Sequence, residues 1–344
     1  MKKNKYIFVL LLLISISVVC TCGTFFYVKF NNGSNASAAS GGEGDEFVIM
    51  TSCNPVYIAT LNVVGDTEGV TVSNLSQPTT GCLHDYTLTT EDMKNLSSAD
   101  VLVVNGGGME GYLDDVVEAY PELTIIDTFE YVEDRVELPE VEDHEHEADE
   151  HSQKKSAAQE PNDFHRTVED EHEGHHHEEN SHIWMDSELF AYQVQAISEG
   201  LCEADADHAD IYKENSTEYI GLLSNYVDKS DLESLQGANV AVLHAAFVYT
   251  AGSLDANVVA VMDLDEERQV SAGEVSDFIE TIKEKDVKLV FAEYDYGNAM
   301  GKLIMEQTDA KVVYLETLVH GSYGMDDYLT AMNENYARIA NVVE

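Results

Sequence analysis

From residue 46 onward the chain alternates between short apolar runs and amphipathic stretches. Residues 47–50, 70–75, 101–104 and 123–126 are short runs rich in apolar and β-branched side chains, the pattern of buried strands. Residues 55–64, 89–96 and 109–119 read as helices between them, and Thr89 with Asp92 three positions on forms a capping box. The pattern then stops. Residues 139–180 carry no hydrophobic periodicity and predict a disordered surface loop. Order resumes at Trp184 with a helix to about Leu201. A long amphipathic stretch follows from Ala209, with Ile211, Tyr212, Tyr219, Leu222, Leu223, Tyr226, Leu232 and Leu235 at helical spacing and Gly237 to end it. A second alternation has strands over 240–243, 258–262, 287–291 and 312–315. Its helices cover 271–285, opened by a Ser271/Glu274 capping box, 298–307 and 326–342. Alternation, a long helix, and alternation again predict an α/β fold of two lobes with parallel sheets joined by one long helix.

The 344 residues suffice for two domains. Eighteen Lys and Arg stand against 65 Asp and Glu, a formal charge of −47. Nothing basic is left to neutralise phosphates, which excludes a nucleic-acid partner and anionic lipid as a partner of the folded part. A dense negative field favours cations as ligands. At the N-terminus Lys2, Lys3 and Lys5 precede an apolar run over 6–28, which as a helix would reach about 34 Å, enough to span a bilayer. The run reads either as a lipoprotein signal with Cys20 or Cys22 acylated, or as a retained transmembrane anchor; cleavage near Ala36 to Ala39 would fall well beyond the apolar run. Either main reading leaves the folded part outside the cell, tethered to the outer face of the membrane. Of the exported cysteines, Cys53 and Cys82 each follow a predicted strand and are candidates to pair, with Cys202 left over. The expected organisation is a signal peptide or anchor over 1–30, a flexible tether over 31–45, and an N-terminal lobe over 46–205 containing the 139–180 loop. A linking helix over 206–237 and a C-terminal lobe over 238–344 complete it.

Ligands of parallel α/β sheets bind beyond the carboxyl ends of the strands. Side chains with metal-ligand chemistry near such positions are few: His84 after the second strand, His244 directly after 240–243, Glu316 directly after 312–315, and His182 just before Trp184. Three imidazoles and one carboxylate, two from each lobe, suit a four-coordinate Zn²⁺. Four protein ligands leave no open position for a catalytic water, so the set fits binding better than hydrolysis. The 139–180 tract adds His144, His146, His151, His165, His172, His175, His176 and His177 among 15 carboxylates and three basic residues. Such interleaving of imidazole and carboxylate binds divalent metals weakly at several places.

These residues carry a resemblance. The stretch from Gln77 through Cys82, Leu83, His84, Asp85 and Tyr86 to Leu88 and Asp92 resembles the first-ligand segment of the substrate-binding proteins (SBPs) of zinc and manganese ABC uptake transporters, in the zinc branch with a His-rich loop. His182-Ile183-Trp184-Met185-Asp186 is similar to that family's second-ligand segment, with Asp186-Ser187 replacing the more usual Ser-Pro. Leu243-His244-Ala245-Ala246-Phe247 is similar to the third, where His points to zinc and Glu would point to manganese. Leu315-Glu316-Thr317-Leu318 lies where the family often has Leu-Asp-Pro, and His320 is a rival for the fourth position. The resemblance runs from about Phe47 to the C-terminus. It implies two lobes held by a rigid linking helix, small lobe movements, and capture of one Zn²⁺, with Mn²⁺ as the alternative. It further implies a monomer that delivers the ion to an ABC permease and its cytoplasmic ATPase, and assigns the His-rich loop to local metal collection.

Two rival readings have residues behind them. Gly106-Gly107-Gly108-Met109-Glu110-Gly111 satisfies G-x-G-x-x-G between a strand and a helix, with Asp127 after the next strand, which is the dinucleotide-binding pattern of an oxidoreductase. Glu110, Asp114 and Asp115 crowd the helix start where a pyrophosphate would need positive charge, and favour a plain strand-to-helix turn. An exported metalloenzyme is the other; no nucleophile-base set or G-x-S-x-G elbow supports it.

Overall fold

The computed structural model describes residues 46–76, 83, 86–139, 180–226, 229–264 and 270–343. The apolar N-terminal run, Cys20, Cys22, Cys82, His84 and the eight histidines of the acidic tract lie outside the described residues.

Two four-stranded parallel sheets form the frame. The first comprises β1 (Phe47–Thr51), β2 (Val70–Asn74), β3 (Val101–Val104) and β4 (Thr124–Asp127) in the order β2-β1-β3-β4. The second comprises β5 (Asn239–Val242), β6 (Asn257–Val261), β7 (Leu289–Glu293) and β8 (Lys311–Leu315) in the order β6-β5-β7-β8. The central strands β3 and β7 are buried at every position, which is why they read as continuous apolar runs. Both lobes repeat one topology, with chain direction across the sheet reversing beside β1 in the first and β5 in the second. Such switch points open a crevice at the carboxyl ends of β1 and β3, and of β5 and β7.

Helices cover the sheets: α1 (Asn54–Val64), α2 (Thr90–Leu96), α3 (Leu113–Ala119) and α4 (Thr128–Glu133) in the first lobe; α7 (Phe247–Gly252), α8 (Ala272–Glu284), α9 (Tyr294–Gln307) and α10 (Asp327–Val343) in the second. Their starts follow local chemistry. Pro55 sits in the first turn of α1, where a missing N–H costs nothing. Both expected capping boxes are present, Thr89 with Asp92 on α2 and Ser271 with Glu274 on α8. Between the sheets run a 3₁₀ turn (Ile183–Met185), α5 (Ser187–Ala204), α6 (Ala209–Tyr226) and a second 3₁₀ turn (Ser230–Leu235). The long helix expected to reach Leu235 therefore ends as an α-helix at Tyr226, and the Leu232 and Leu235 positions belong to the 3₁₀ turn that leads to Gly237 at φ +69°.

Residues 46–344 form one compact unit, and its main hydrophobic core is continuous between the lobes. Phe190 of α5 stacks on Tyr328 of α10 at 3.7 Å between ring centres, 12° from parallel. Trp184, fully buried, donates from Nε1 to the Thr317 carbonyl at 2.8 Å, and its own carbonyl accepts from the Tyr328 hydroxyl at 2.7 Å. Asn54 Nδ2 donates to the Leu318 carbonyl at 2.8 Å, and the Tyr323 hydroxyl donates to that of Ser76. Shared core and interlobe bonds of this kind oppose a wide hinge. Among the described residues no helix is long and apolar enough to cross a membrane.

Candidate metal centre

His244 directly follows Leu243 at the end of β5, and His182 immediately precedes the 3₁₀ turn Ile183–Met185. Both are buried, at 3% and 6% exposure, and their rings meet edge to face with centres 5.0 Å apart. Two imidazoles that share a tetrahedral ion at Zn–N of about 2.0–2.1 Å place their ring centres about 5 Å apart, so this spacing is compatible with a shared zinc, as it is with an ordinary edge-to-face ring contact.

The orientation of His182 is set by Asn180. Asn180 Nδ2 donates to the Ala245 carbonyl at 2.8 Å, which turns its Oδ1 toward His182 Nδ1, 3.0 Å away, and toward the His182 N–H at 3.3 Å. An amide oxygen there assigns the proton to Nδ1 and the lone pair to Nε2, the tautomer a metal ligand needs. The Tyr249 hydroxyl donates to the Asn180 carbonyl, so the residue is held from the second lobe while it steers a ring of the first. His244 Nδ1 accepts from the Ala246 N–H at 3.1 Å, which puts the ring proton of the neutral imidazole on Nε2; ligation through Nε2 requires that proton to move to Nδ1 and this bond to give way. Sequence reading took Asn180 for the last residue of the polar tract. Its place two residues before a candidate ligand was the available signal.

The remaining candidates are placed differently. Glu316 does follow β8, and its backbone is clasped in both directions by the Asn335 amide at 2.8 Å. Its carboxylate is 57% exposed and accepts from Arg338 Nη1 at 2.9 Å. Glu316 and His320 line a cavity of about 300 Å³ at the carboxyl ends of β7 and β8, together with Glu293 and Asp295. Glu293, 8% exposed, accepts from Thr317 Oγ1 at 2.8 Å. It was missed because the apolar run of β7 was read as ending at Phe291. Among the described residues no three His, Cys, Asp or Glu side chains converge as a ready metal cage; the described part contributes the His182–His244 pair.

The glycine-rich loop is internally occupied. Glu110, 5% exposed, accepts from the N–H groups of Asn105 at 2.9 Å and Gly106 at 3.0 Å. The donors that would cradle a pyrophosphate are spent on the chain's own carboxylate. Asp127, the candidate ribose partner, instead caps α4, accepting from Phe129 and Glu130 N–H at 3.0 Å each. Gly106 has φ +85°, and a Cβ there would lie 2.0 Å from Asp127 Oδ1, so its glycine serves this turn. Residues 172–176 also spell H-E-x-x-H, in a tract whose sequence has no helical periodicity and which lies outside the described residues.

Burial pushes the Glu110 carboxyl up to about 7; the N–H bonds from Gly106 and Asn105 oppose the rise and the nearby Asp127 adds to it. A folded value above the unfolded one means that the stability this group contributes is present below the ordinary carboxylate range and lost as pH rises through about 7. Thermal melts from pH 4 to 8 should therefore show a flatter profile for Glu110→Gln, which cannot titrate. An unchanged slope would remove Glu110 from the acid–base balance of the fold.

The family model described as ZnuA, zinc-uptake complex component A periplasmic, matches residues 49–342. The chain is 24% identical over 325 residues to the high-affinity zinc uptake system protein ZnuA of Bacillus subtilis, covering 92% of this chain and 93% of that protein. It is 23% identical over 331 residues to the zinc-binding lipoprotein AdcA of Streptococcus pneumoniae, covering 94% of this chain but only 59% of AdcA. The SBP FpvC of Pseudomonas aeruginosa in complex with Mn²⁺ superposes with a TM-score of 0.67 at 20% identity, covering 87% of this chain and 98% of FpvC, a likeness of fold.

Proposed function

The chain belongs to the ZnuA family of zinc-uptake components, and on that premise we propose that it captures one Zn²⁺ in the cleft between its lobes and passes it to a membrane permease driven by a cytoplasmic ATPase. The observation that carries the reading is the buried His182–His244 pair, one imidazole from each lobe at a spacing compatible with a shared ion. His84 supplies the third imidazole and Glu316 the fourth ligand. The zinc-uptake and zinc-binding relatives support the choice of metal, as does His rather than Glu at position 244. The chain acts as an extracytoplasmic monomer, tethered by its N-terminal segment through an acylated Cys20 or Cys22 or through a retained anchor. The His-rich tract gathers metal near the cleft, with His320 as a further auxiliary ligand. The protein binds and releases its ion without catalysing a reaction: no nucleotide cradle is available, and four protein ligands close the metal. Because each imidazole must be neutral to ligate, affinity falls as pH drops through the histidine range.

Competitive titration of the protein with Zn²⁺ and Mn²⁺ tests this directly. One tight Zn²⁺ equivalent, poorly displaced by Mn²⁺, is the expected result. Preference for Mn²⁺ would overturn the metal, and absence of a tight equivalent would overturn the site.

Arg338 holds Glu316 Oε1, so recruiting this carboxylate to the ion competes with the ion pair. An exposed pair of this kind is worth up to about 1 kcal/mol, so Arg338→Ala should tighten zinc binding up to about fivefold. Calorimetry on the two proteins checks it, and weaker binding in Arg338→Ala would mean that the ion pair holds Glu316 in place for the ion instead of competing with it.

A further inference from the structure

Asn105 stands at the end of β3, fully buried, and every polar group it carries is engaged. Its N–H donates to Glu110 Oε1 at 2.9 Å, and its carbonyl accepts from the Phe129 N–H at 2.7 Å and Thr128 Oγ1 at 3.0 Å. Its side-chain oxygen accepts from Gln193 Nε2 at 3.0 Å, which also donates to Thr128 Oγ1 at 2.7 Å. All of these hold Asn105 itself. One bond points elsewhere: Nδ2 donates to the carbonyl of Ser181 at 2.8 Å, across 76 positions of sequence. That carbonyl belongs to the peptide that leads into His182.

His182 thus lies between two amides. Asn180 steers the ring from the side of Ala245 and the second lobe, and Asn105 pins the backbone from the end of β3 in the first. Buried carboxylate, tight glycine turn and saturated asparagine make a rigid post in the first lobe, and the post reaches the candidate centre through the Ser181 carbonyl, which also accepts from the Ile183 N–H at 2.9 Å.

We propose that Asn105, anchored by Glu110 and Gln193, is a positioning residue for the metal centre that fixes the approach of His182 to His244. The proposal rests on His182 being a ligand. Partners that orient a metal ligand without touching the metal cost about 10–100-fold in affinity when removed, and the same range is expected here, chiefly as faster dissociation.

Asn105→Ser and Asn105→Ala both break the bond to Ser181; Leu96→Ala, which empties a buried core position of the first lobe that shares no hydrogen bond with this network, is the control for lost stability. Zinc affinity should fall about 10–100-fold in the Asn105 variants and stay near the parent value in Leu96→Ala, even where stabilities drop alike. With Co²⁺ as probe, the d–d absorption band should shift in the Asn105 variants and not in Leu96→Ala. Affinity losses that merely track stability across all three variants would overturn the proposal. Should the Asn105 variants fail to fold, side-chain amide exchange in the unaltered protein decides: zinc should slow exchange of the Asn105 amide protons, and unchanged exchange overturns the assignment. His182→Ala, measured alongside, separates the two claims. If it alone loses affinity, the site stands and the positioning role falls; if it binds zinc as tightly as the parent, the site falls and the positioning role with it.

Discussion

Replacing His244 with alanine is expected to weaken zinc binding by more than a hundredfold, whereas deleting residues 140–179, which leaves Asn180 in place, should change it by less than about tenfold. The asymmetry follows from burial and geometry. His244 is 3% exposed, so its imidazole is already desolvated before an ion arrives. Removing it takes away one ligand bond and leaves His182 without the partner 5.0 Å away that completes its half of the coordination. Glu316 already serves as the fourth ligand in this reading, and among the described residues beside it Glu293 is engaged with Thr317, so neither takes the place of His244. The acidic tract has eight imidazoles interleaved with carboxylates, a composition that binds divalent ions weakly at several places. Competition against a chelator of known affinity measures both variants. A loop deletion that cost more than His244→Ala would move the principal site into the tract.

Elements with strong local signals were legible from sequence, and those that depend on distant contacts were not. Buried strands announced themselves as apolar runs, and Thr89/Asp92 and Ser271/Glu274 marked helix starts because a capping box is a contact within four residues. His182 and His244 could be proposed from strand-end position and resemblance, and the structure brings those two together. The helices α4 and α7 went unseen. At six residues each they complete fewer than two turns, too few to display a 3.6-residue period. Helix α3 was expected from Met109 but begins at Leu113. Glu110 turns back to the N–H groups of Asn105 and Gly106, and that arrangement occupies the residues that would have been the first turn. The ion pair of Glu316 joins residues 22 apart and the grip of Asn105 on Ser181 residues 76 apart. Neither separation leaves a pattern in a single sequence.

Trp184→Ala should lower the unfolding free energy by about 3–5 kcal/mol, the usual cost of emptying a buried aromatic position. The residue joins three parts of the molecule. Its ring is fully buried in the continuous core, its Nε1 satisfies the Thr317 carbonyl in the second lobe, and its carbonyl receives the Tyr328 hydroxyl of α10. Trp184→Phe isolates one of these contributions. It keeps most of the apolar volume but orphans the Thr317 carbonyl, and should cost about 1–3 kcal/mol. Urea unfolding followed by circular dichroism measures both, and the continuous core requires a single cooperative transition in the parent protein. Two separated transitions would mean that each lobe holds its own fold and that Trp184 is peripheral to both. The Trp184 ring also lies 5.1 Å from that of His182, packed against the side of a candidate ligand. The alanine variant should therefore lose zinc affinity as well as stability, and the phenylalanine variant should lose stability with affinity largely kept. A hydrogen bond between lobes and a wall of the metal centre are then two uses of one indole, separable because only the ring, and not its N–H, faces His182.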